Sequence, residues 1–177
     1  NYKSNLIKSY FKELDFDYQL EYFVEERPLG TAGSLRFFAN RFKTSFFVTN
    51  CDIIINSDME KIYDFHEEGN YDITLVASAK EFVIPYGTCE LNDDGTLMKI
   101  LEKPEYFFLV NTGLYILKSN IVDLIPENKF YHITDLIKDA KNLGRKIGVY
   151  PIDDELWTDV GQWKEYRNAL EKFNQLS

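Results

Sequence analysis

The chain has 177 residues, 45% hydrophobic and 16% aromatic, enough for one domain with a substantial core and too few for two. A formal net charge of −9 repels nucleic acid and anionic membrane, so neither is expected as the main partner. A phosphorylated small molecule stays compatible wherever a local cation or bound metal reverses the sign. Cys51 and Cys89 form no CxxC and have no histidine nearby, which argues against a zinc site and a disulfide framework. With no signal peptide and no apolar run of membrane length, the cytoplasm is the default location.

From Ser4 onward, Leu6, Ile7, Tyr10, Phe11 and Leu14 keep a helical period. Tyr18, Leu20, Tyr22 and Val24 then alternate with Gln19, Glu21 and Phe23, which favours a strand. Pro28-Leu29-Gly30-Thr31-Ala32-Gly33 reads as a turn or helix start, and Ser34 to Phe38 as a short helix. Ser45 to Thr49 is a β-prone run ending in Asn50-Cys51-Asp52. Ser57, with Glu60 three residues on, reads as the capping box of a helix through His66. Ile73 to Ala77 is a buried-strand candidate. Tyr86 to Leu91 and Leu97 to Leu101 flank Asn92-Asp93-Asp94-Gly95, a hairpin signal. Leu109 to Leu117 is a strand interrupted by Asn111-Thr112-Gly113. Ile133 to Leu143 reads as a helix stopped by Gly144, Lys146 to Ile152 as a strand, and Gln162 to Phe173 as a closing helix. The alternation gives an α/β domain with a mixed sheet, spanning 1–177 as a single unit.

Ligands of open α/β sheets sit beyond the carboxyl ends of strands. Asp52 follows a strand at such an end, although an Asp there also serves as a plain loop residue. Asp159, in Leu156-Trp157-Thr158-Asp159-Val160-Gly161, reads either as a second such carboxylate or as the N-cap of the closing helix. Two carboxylates on separate loops suit Mg²⁺, which completes its shell with phosphate oxygens and water. Gly30 and Gly33 would let backbone N–H groups approach a flat base or an anion, though such a segment also makes an ordinary turn. Glu102-Lys103-Pro104 has the bland reading of a surface ion pair before a proline. Gly113 inside an apolar strand marks a bulge or a close approach.

The ordered set LGTAG, NCD, PYG, EKP, NTG and W-x-D-x-G resembles the sugar-1-phosphate nucleotidyltransferase family across nearly the whole chain. That resemblance implies a Rossmann-like three-layer sandwich whose sheet is mixed and mainly parallel. It also implies Mg²⁺-dependent attack of a sugar-1-phosphate oxygen on the α-phosphorus of an NTP, with release of pyrophosphate. On the same resemblance Leu29, Gly30 and Thr31 lie against the base, and Asn50 belongs to the nucleotide set. Asp52 and Asp159 would hold the metal. Gly87, Glu102 and Asn111 would contact the sugar, Lys103 would hold its phosphate, and Thr112 would reach towards that phosphate. Catalysis would then rest on alignment and charge neutralisation, with Asp52, Lys103 and Asp159 as the catalytic set.

The family pattern begins with a strand and a Gly-rich loop of the G-x-G-T-R kind, which does not occur in these 177 residues. Asn1 therefore reads as a cut, the fold is expected to lack its first strand and Gly-rich loop, and this piece is expected to be inert. A cut sheet edge would invite cover by a partner copy, and homo-oligomerisation is left open. A non-catalytic sugar-phosphate or nucleotide-sugar binding module is the main rival. A glycosyltransferase would want a D-x-D motif, which Asn50-Cys51-Asp52 does not supply. Guanine, thymine, uracil and cytosine are not separated by these residues. Overall resemblance leans towards a guanylyltransferase acting on a hexose- or aminohexose-1-phosphate.

Overall fold

The computed structural model describes residues 4–161. The chain divides into two compact units, Asn1–Thr44 with Ser119–Gly144, and Ser45–Lys118 with Arg145–Ser177. The first unit holds helices α1 (Ser4–Lys12), α2 (Gly30–Gly33) and α4 (Ile133–Asn142), with 3₁₀ turns at Ser34–Phe38 and Ser119–Leu124. The second holds α3 (Met59–Glu68) and every strand among the described residues. These are β1 (Phe46–Thr49), β2 (Ile53–Ile55), β3 (Ile73–Val83), β4 (Thr88–Leu91), β5 (Leu97–Leu101), β6 (Glu105–Leu117), β7 (Ile147–Asp153) and β8 (Trp157–Asp159).

The main sheet has the order β1-β6-β3-β7. β6 is antiparallel to both β1 and β3, whereas β3 and β7 are parallel. Strands β1, β3 and β7 therefore run one way and β6 against them, which is the mixed α/β sheet expected from the sequence, with two of its three ladders antiparallel. Ile73, Thr74, Val76, Ala77 and Ser78 are all buried, as a central strand flanked on both edges requires. Ile62 of α3 packs with Val76, Leu114, Ile116 and Ile152, and Trp157, Leu156 and Tyr150 border that cluster. Burying each such aliphatic side chain contributes about 1.5–3 kcal/mol, so α3 and the sheet stabilise each other chiefly by apolar contact.

β4 and β5 form a separate two-stranded hairpin, closed as the Asn92-Asp93-Asp94-Gly95 signal predicts. Asn92 N–H donates to the Thr96 carbonyl at 2.9 Å, and Gly95 takes φ +82°. Asp94 Oδ1 accepts from the Thr96 hydroxyl at 2.6 Å and from its N–H at 3.0 Å, which holds the Asp94 carboxyl below the usual carboxylate range.

Several elements differ from the sequence reading. Tyr18 to Val24 carry no ladder, and their side chains are largely exposed. Alternation gives a strand its two faces, but a strand also needs a neighbouring edge to bond, and none of the described residues provides one. The cap of α3 is Asp58, one residue beyond Ser57, because its carboxylate accepts from both Glu60 and Lys61 N–H. β3 and β6 run on as a ribbon past the sheet, so that Phe82, Val83, Phe107 and Phe108 are exposed. β2 and β8 are three-residue strands too short to show a period. The helix expected over Gln162 to Phe173 lies outside the described residues. Among the described residues no helix is long and apolar enough to cross a membrane.

His66 of α3 is completely buried, with Nδ1 2.8 Å from Thr74 Oγ1 and Nε2 3.2 Å from Ser45 Oγ. Burial lowers its pKa below the ordinary imidazole value, against the opposing pull of Glu67. The unfolded chain therefore binds this proton more readily than the folded one. Stability should stay level down to about pH 6.5, then fall with pH until the folded-state pKa is passed. Urea unfolding between pH 8 and 5 measures this, and His66→Gln should flatten the slope. A slope unchanged in that variant would assign the effect to other groups.

Candidate active site

Asn50, Cys51 and Asp52 form the turn between β1 and β2 at the carboxyl end of β1. β8 pairs antiparallel with β2, setting Asp159 opposite Ile53 and Trp157 opposite Ile55. Beyond that ladder Val160 N–H donates to the Asp52 carbonyl at 2.9 Å, and Gly161 N–H donates to Asp159 Oδ1 at 2.9 Å. A β-carbon placed on Gly161 would lie 2.7 Å from Asp52 Oδ2 and 3.1 Å from Asp159 Oδ1. Two carboxylates from distant parts of the chain thus converge where the intervening residue has no side chain. Like charges so placed repel unless a cation joins them. Among the described residues no group of three or more His, Cys, Asp or Glu could hold a metal, so the candidate is a two-carboxylate site. Its oxygen chemistry fits Mg²⁺, which keeps waters and recruits phosphate oxygens. The bond from Gly161 to Asp159 is also the local turn contact that the bland reading of Asp159 expects.

The second component is a bulge in β6. Leu75 pairs with Tyr115 and Ala77 with Asn111, so Thr112, Gly113 and Leu114 stand opposite Val76 alone. Gly113 takes φ +90°, and a β-carbon there would lie 2.7 Å from Asn50 Nδ2. Asn50 N–H donates to the Gly113 carbonyl at 3.0 Å, which ties the NCD turn to the NTG bulge. Asn111 Nδ2 donates to Tyr115 Oη at 2.7 Å, while its Oδ1 accepts from Gly113 N–H at 3.3 Å. One amide hydrogen and one lone pair of Asn111 are left for a ligand. Burial raises the Tyr115 pKa, opposed by that bond from Asn111. Thr112 is turned inward. Its hydroxyl donates to the Val76 carbonyl at 2.8 Å and accepts from Leu114 N–H at 3.3 Å, so its one proton is committed to the bulge.

Gly87 and Glu102 meet where the β4–β5 hairpin opens. Thr88 pairs with Leu101, and a β-carbon on Gly87 would lie 3.1 Å from Glu102 Oε2. Lys103 is exposed and takes φ +45° immediately before Pro104. That conformation is uncommon for a side-chain-bearing residue and is further disfavoured before proline. The structure therefore brings PYG to EKP, and separately NCD to NTG and W-x-D-x-G. The Glu105–Val110 stretch of β6 lies between the two groups along the chain.

LGTAG lies in the other unit. Leu29 and Ala32 are buried, and the N–H groups of Ala32 and Gly33 donate to the Tyr131 carbonyl at 3.0 and 3.1 Å. A β-carbon on Gly30 would lie 2.6 Å from that same carbonyl oxygen, and one on Gly33 would lie 2.8 Å from the Lys129 carbonyl. Both glycines are thus needed for close backbone packing. Thr31 Oγ1 accepts from Ile133 N–H at 2.9 Å, at the start of α4. The Tyr131 hydroxyl donates to Asp139, and desolvation together with that carboxylate raises its pKa.

The Nucleotidyl transferase family profile matches residues 1–175. The chain belongs to the nucleotidyl transferase family. A mannose-1-phosphate guanyltransferase of Yarrowia lipolytica is 32% identical over 94% of this chain and 47% of its own length. A mannose-1-phosphate guanylyltransferase of Mycobacterium tuberculosis is 26% identical over 84% of this chain and 42% of its own. The chain spans about half the length of the curated relatives it matches. HddC from Yersinia pseudotuberculosis, solved in complex with GMP-PN, superposes with a TM-score of 0.71 at 22% identity, covering 97% of this chain and 75% of that one. This likeness shows a shared fold.

The residues that sequence reasoning missed are those that support the motifs. Lys80, Asp154 and Ser78 gave no periodic or motif signal, and Trp157 and Gly161 were visible only as letters of W-x-D-x-G. Two glycines separate support from chemistry. Gly113→Ala should cost about 1–2 kcal/mol in urea unfolding, since it strains a left-handed residue and presses on Asn50. Gly161→Ala should cost less than about 1 kcal/mol, because the atom it presses hardest, Asp52 Oδ2, is the end of an exposed side chain that can rotate. Equal losses for the two would contradict this.

Proposed function

We propose that the protein transfers a nucleoside monophosphate from an NTP to a sugar-1-phosphate, releasing pyrophosphate. The observation that carries this reading is the convergence of Asp52 and Asp159 on Gly161 in a chain of the nucleotidyl transferase family. Guanine is the proposed base and a hexose-1-phosphate the proposed acceptor. Support comes from the guanyltransferase relatives and from the GMP-PN complex of a protein with the same fold.

In this reading an oxygen of the sugar phosphate attacks the α-phosphorus. The bond from that phosphorus to the α–β bridging oxygen breaks, and its electron pair leaves with pyrophosphate. Mg²⁺ held by Asp52 and Asp159 would supply charge neutralisation at the α-phosphate. The remaining work is alignment. The Lys103 ammonium offers an exposed cation for the acceptor phosphate, in a chain whose overall charge of −9 otherwise repels it. Glu102 accepts from sugar hydroxyls beside Gly87, where the absence of a side chain leaves room. Asn111 offers its remaining N–H and lone pair. Leu29, Gly30 and Thr31 are assigned to the base through their backbone, and Asn50 is assigned to the nucleotide.

Pyrophosphate release from GTP with mannose-1-phosphate, measured on the whole protein, tests the reading. Asp52→Asn and Asp159→Asn should each lower kcat by at least about 100-fold. Lys103→Met should act mainly on KM for the sugar phosphate, raising it about tenfold or more. Sugar-phosphate binding without turnover in the whole protein would favour a binding module instead. Wild-type Mg²⁺-dependent turnover in either aspartate variant would remove the metal assignment.

A further inference from the structure

Trp157 stands between the two halves of the proposed centre. Its indole Nε1–H donates to the Thr112 carbonyl at 3.1 Å, inside the NTG bulge, and Asp159 lies two residues along the same short strand. Lys80 of β3 places its Nζ 4.8 Å from the centroid of the Trp157 ring. The same ammonium lies 3.1 Å from Asp154 Oδ1, which also accepts from the hydroxyl of fully buried Ser78 at 3.1 Å. The Lys80 side chain is 31% exposed, so its charge is partly withdrawn from water and engaged on two sides.

This cluster grips both ends of the turn that leads into β8. Asp154 opens the 3₁₀ turn Asp154–Leu156, and Trp157 begins the strand that follows. β8 has three ladder partners on β2, and the main sheet does not extend to it. A two-stranded ribbon of that length is marginal in water on its own. Its position must therefore be fixed by contacts outside the ladder, and the Lys80 cluster ties it directly to β3, the central strand of the unit.

We propose that Lys80 is a positioning residue of the nucleotidyl transfer centre. By holding Asp154 and the Trp157 ring, it fixes Asp159 against Asp52 and sets both against the Asn111-Thr112-Gly113 bulge. The proposal rests on the reading of Asp52 and Asp159 as a divalent-cation pair, and it adds a residue that acts through Asp154 and Trp157.

The test uses two readouts on the purified protein without nucleotide. Mn²⁺ uptake is followed by electron paramagnetic resonance, and amide hydrogen exchange is followed for Trp157 to Val160, with β3 as internal reference. Lys80→Met should weaken Mn²⁺ binding about three- to tenfold, the scale of one partly desolvated cation–π contact plus one ion pair. It should also speed exchange at Trp157 to Val160 while Ile73 to Ser78 stay protected. Lys80→Arg, which keeps the charge and stacks on indole, should restore both. Unchanged Mn²⁺ affinity in Lys80→Met overturns the proposal. So does weaker Mn²⁺ binding with unchanged exchange, because the loss would then not come from a loosened β8. Failure of the underlying reading looks different: wild-type protein would take up no Mn²⁺, or Asp52→Asn would bind it as well as wild type, and the link from Lys80 to a metal pair would fall with it.

Discussion

Everything proposed for the carboxylate pair depends on the short antiparallel ladder between Ile53–Ile55 and Trp157–Asp159. More than a hundred residues of chain separate its two strands, and their pairing brings Asp159 to the turn that carries Asp52. The ladder is small, so its free energy is modest, and its register matters more than its strength. A slip of one residue would turn Asp159 to the opposite face. The bond from Val160 to the Asp52 carbonyl and the indole bond from Trp157 to Thr112 both resist such a slip.

Glycine has three different uses in this chain. At Gly161 the missing side chain leaves space for two carboxylates, and at Gly87 for one. At Gly113 the requirement is conformational as well, since φ +90° lets three residues of β6 pass one of β3. At Gly30 and Gly33 the space is filled by the backbone of Lys129 and Tyr131. The LGTAG glycines thus have a packing reason for their identity that is independent of any nucleotide. A motif can be diagnostic of a family while part of its pattern is set by the fold.

The electrostatic logic is local. A chain of net charge −9 is a poor collector of phosphates, yet Lys103 is exposed on a strained turn beside Glu102. Lys80 is positive too, but it is held by Asp154 and Trp157 and so serves structure. Formal charge does not distinguish these two lysines. Their partners do.

Much of the fold was legible in the sequence because it rests on local chemistry. The helical period at Ser4–Lys12, the Asn92–Gly95 turn, the glycine stop after α4 and the buried run from Ile73 each follow from neighbouring residues. The ordered motifs likewise fixed the family, since they depend on residue identity and spacing alone. Where the outcome depended on a distant partner, local pattern failed. Tyr18 to Val24 alternate like a strand but find no edge to bond among the described residues, Ser57 lost the cap to the better-placed Asp58, and β2 and β8 are too short to announce themselves. By itself the sequence determined which residues were candidates, Asp52, Asp159, Asn111, Thr112, Glu102 and Lys103 among them. Only the tertiary structure decided that Asp52 and Asp159 share one space, that Thr112 turns its hydroxyl into the bulge, and that Lys80 and Trp157 stand behind them. The reason is that hydrogen-bond register and the room beside a glycine arise between segments far apart in the chain, and no local period encodes them.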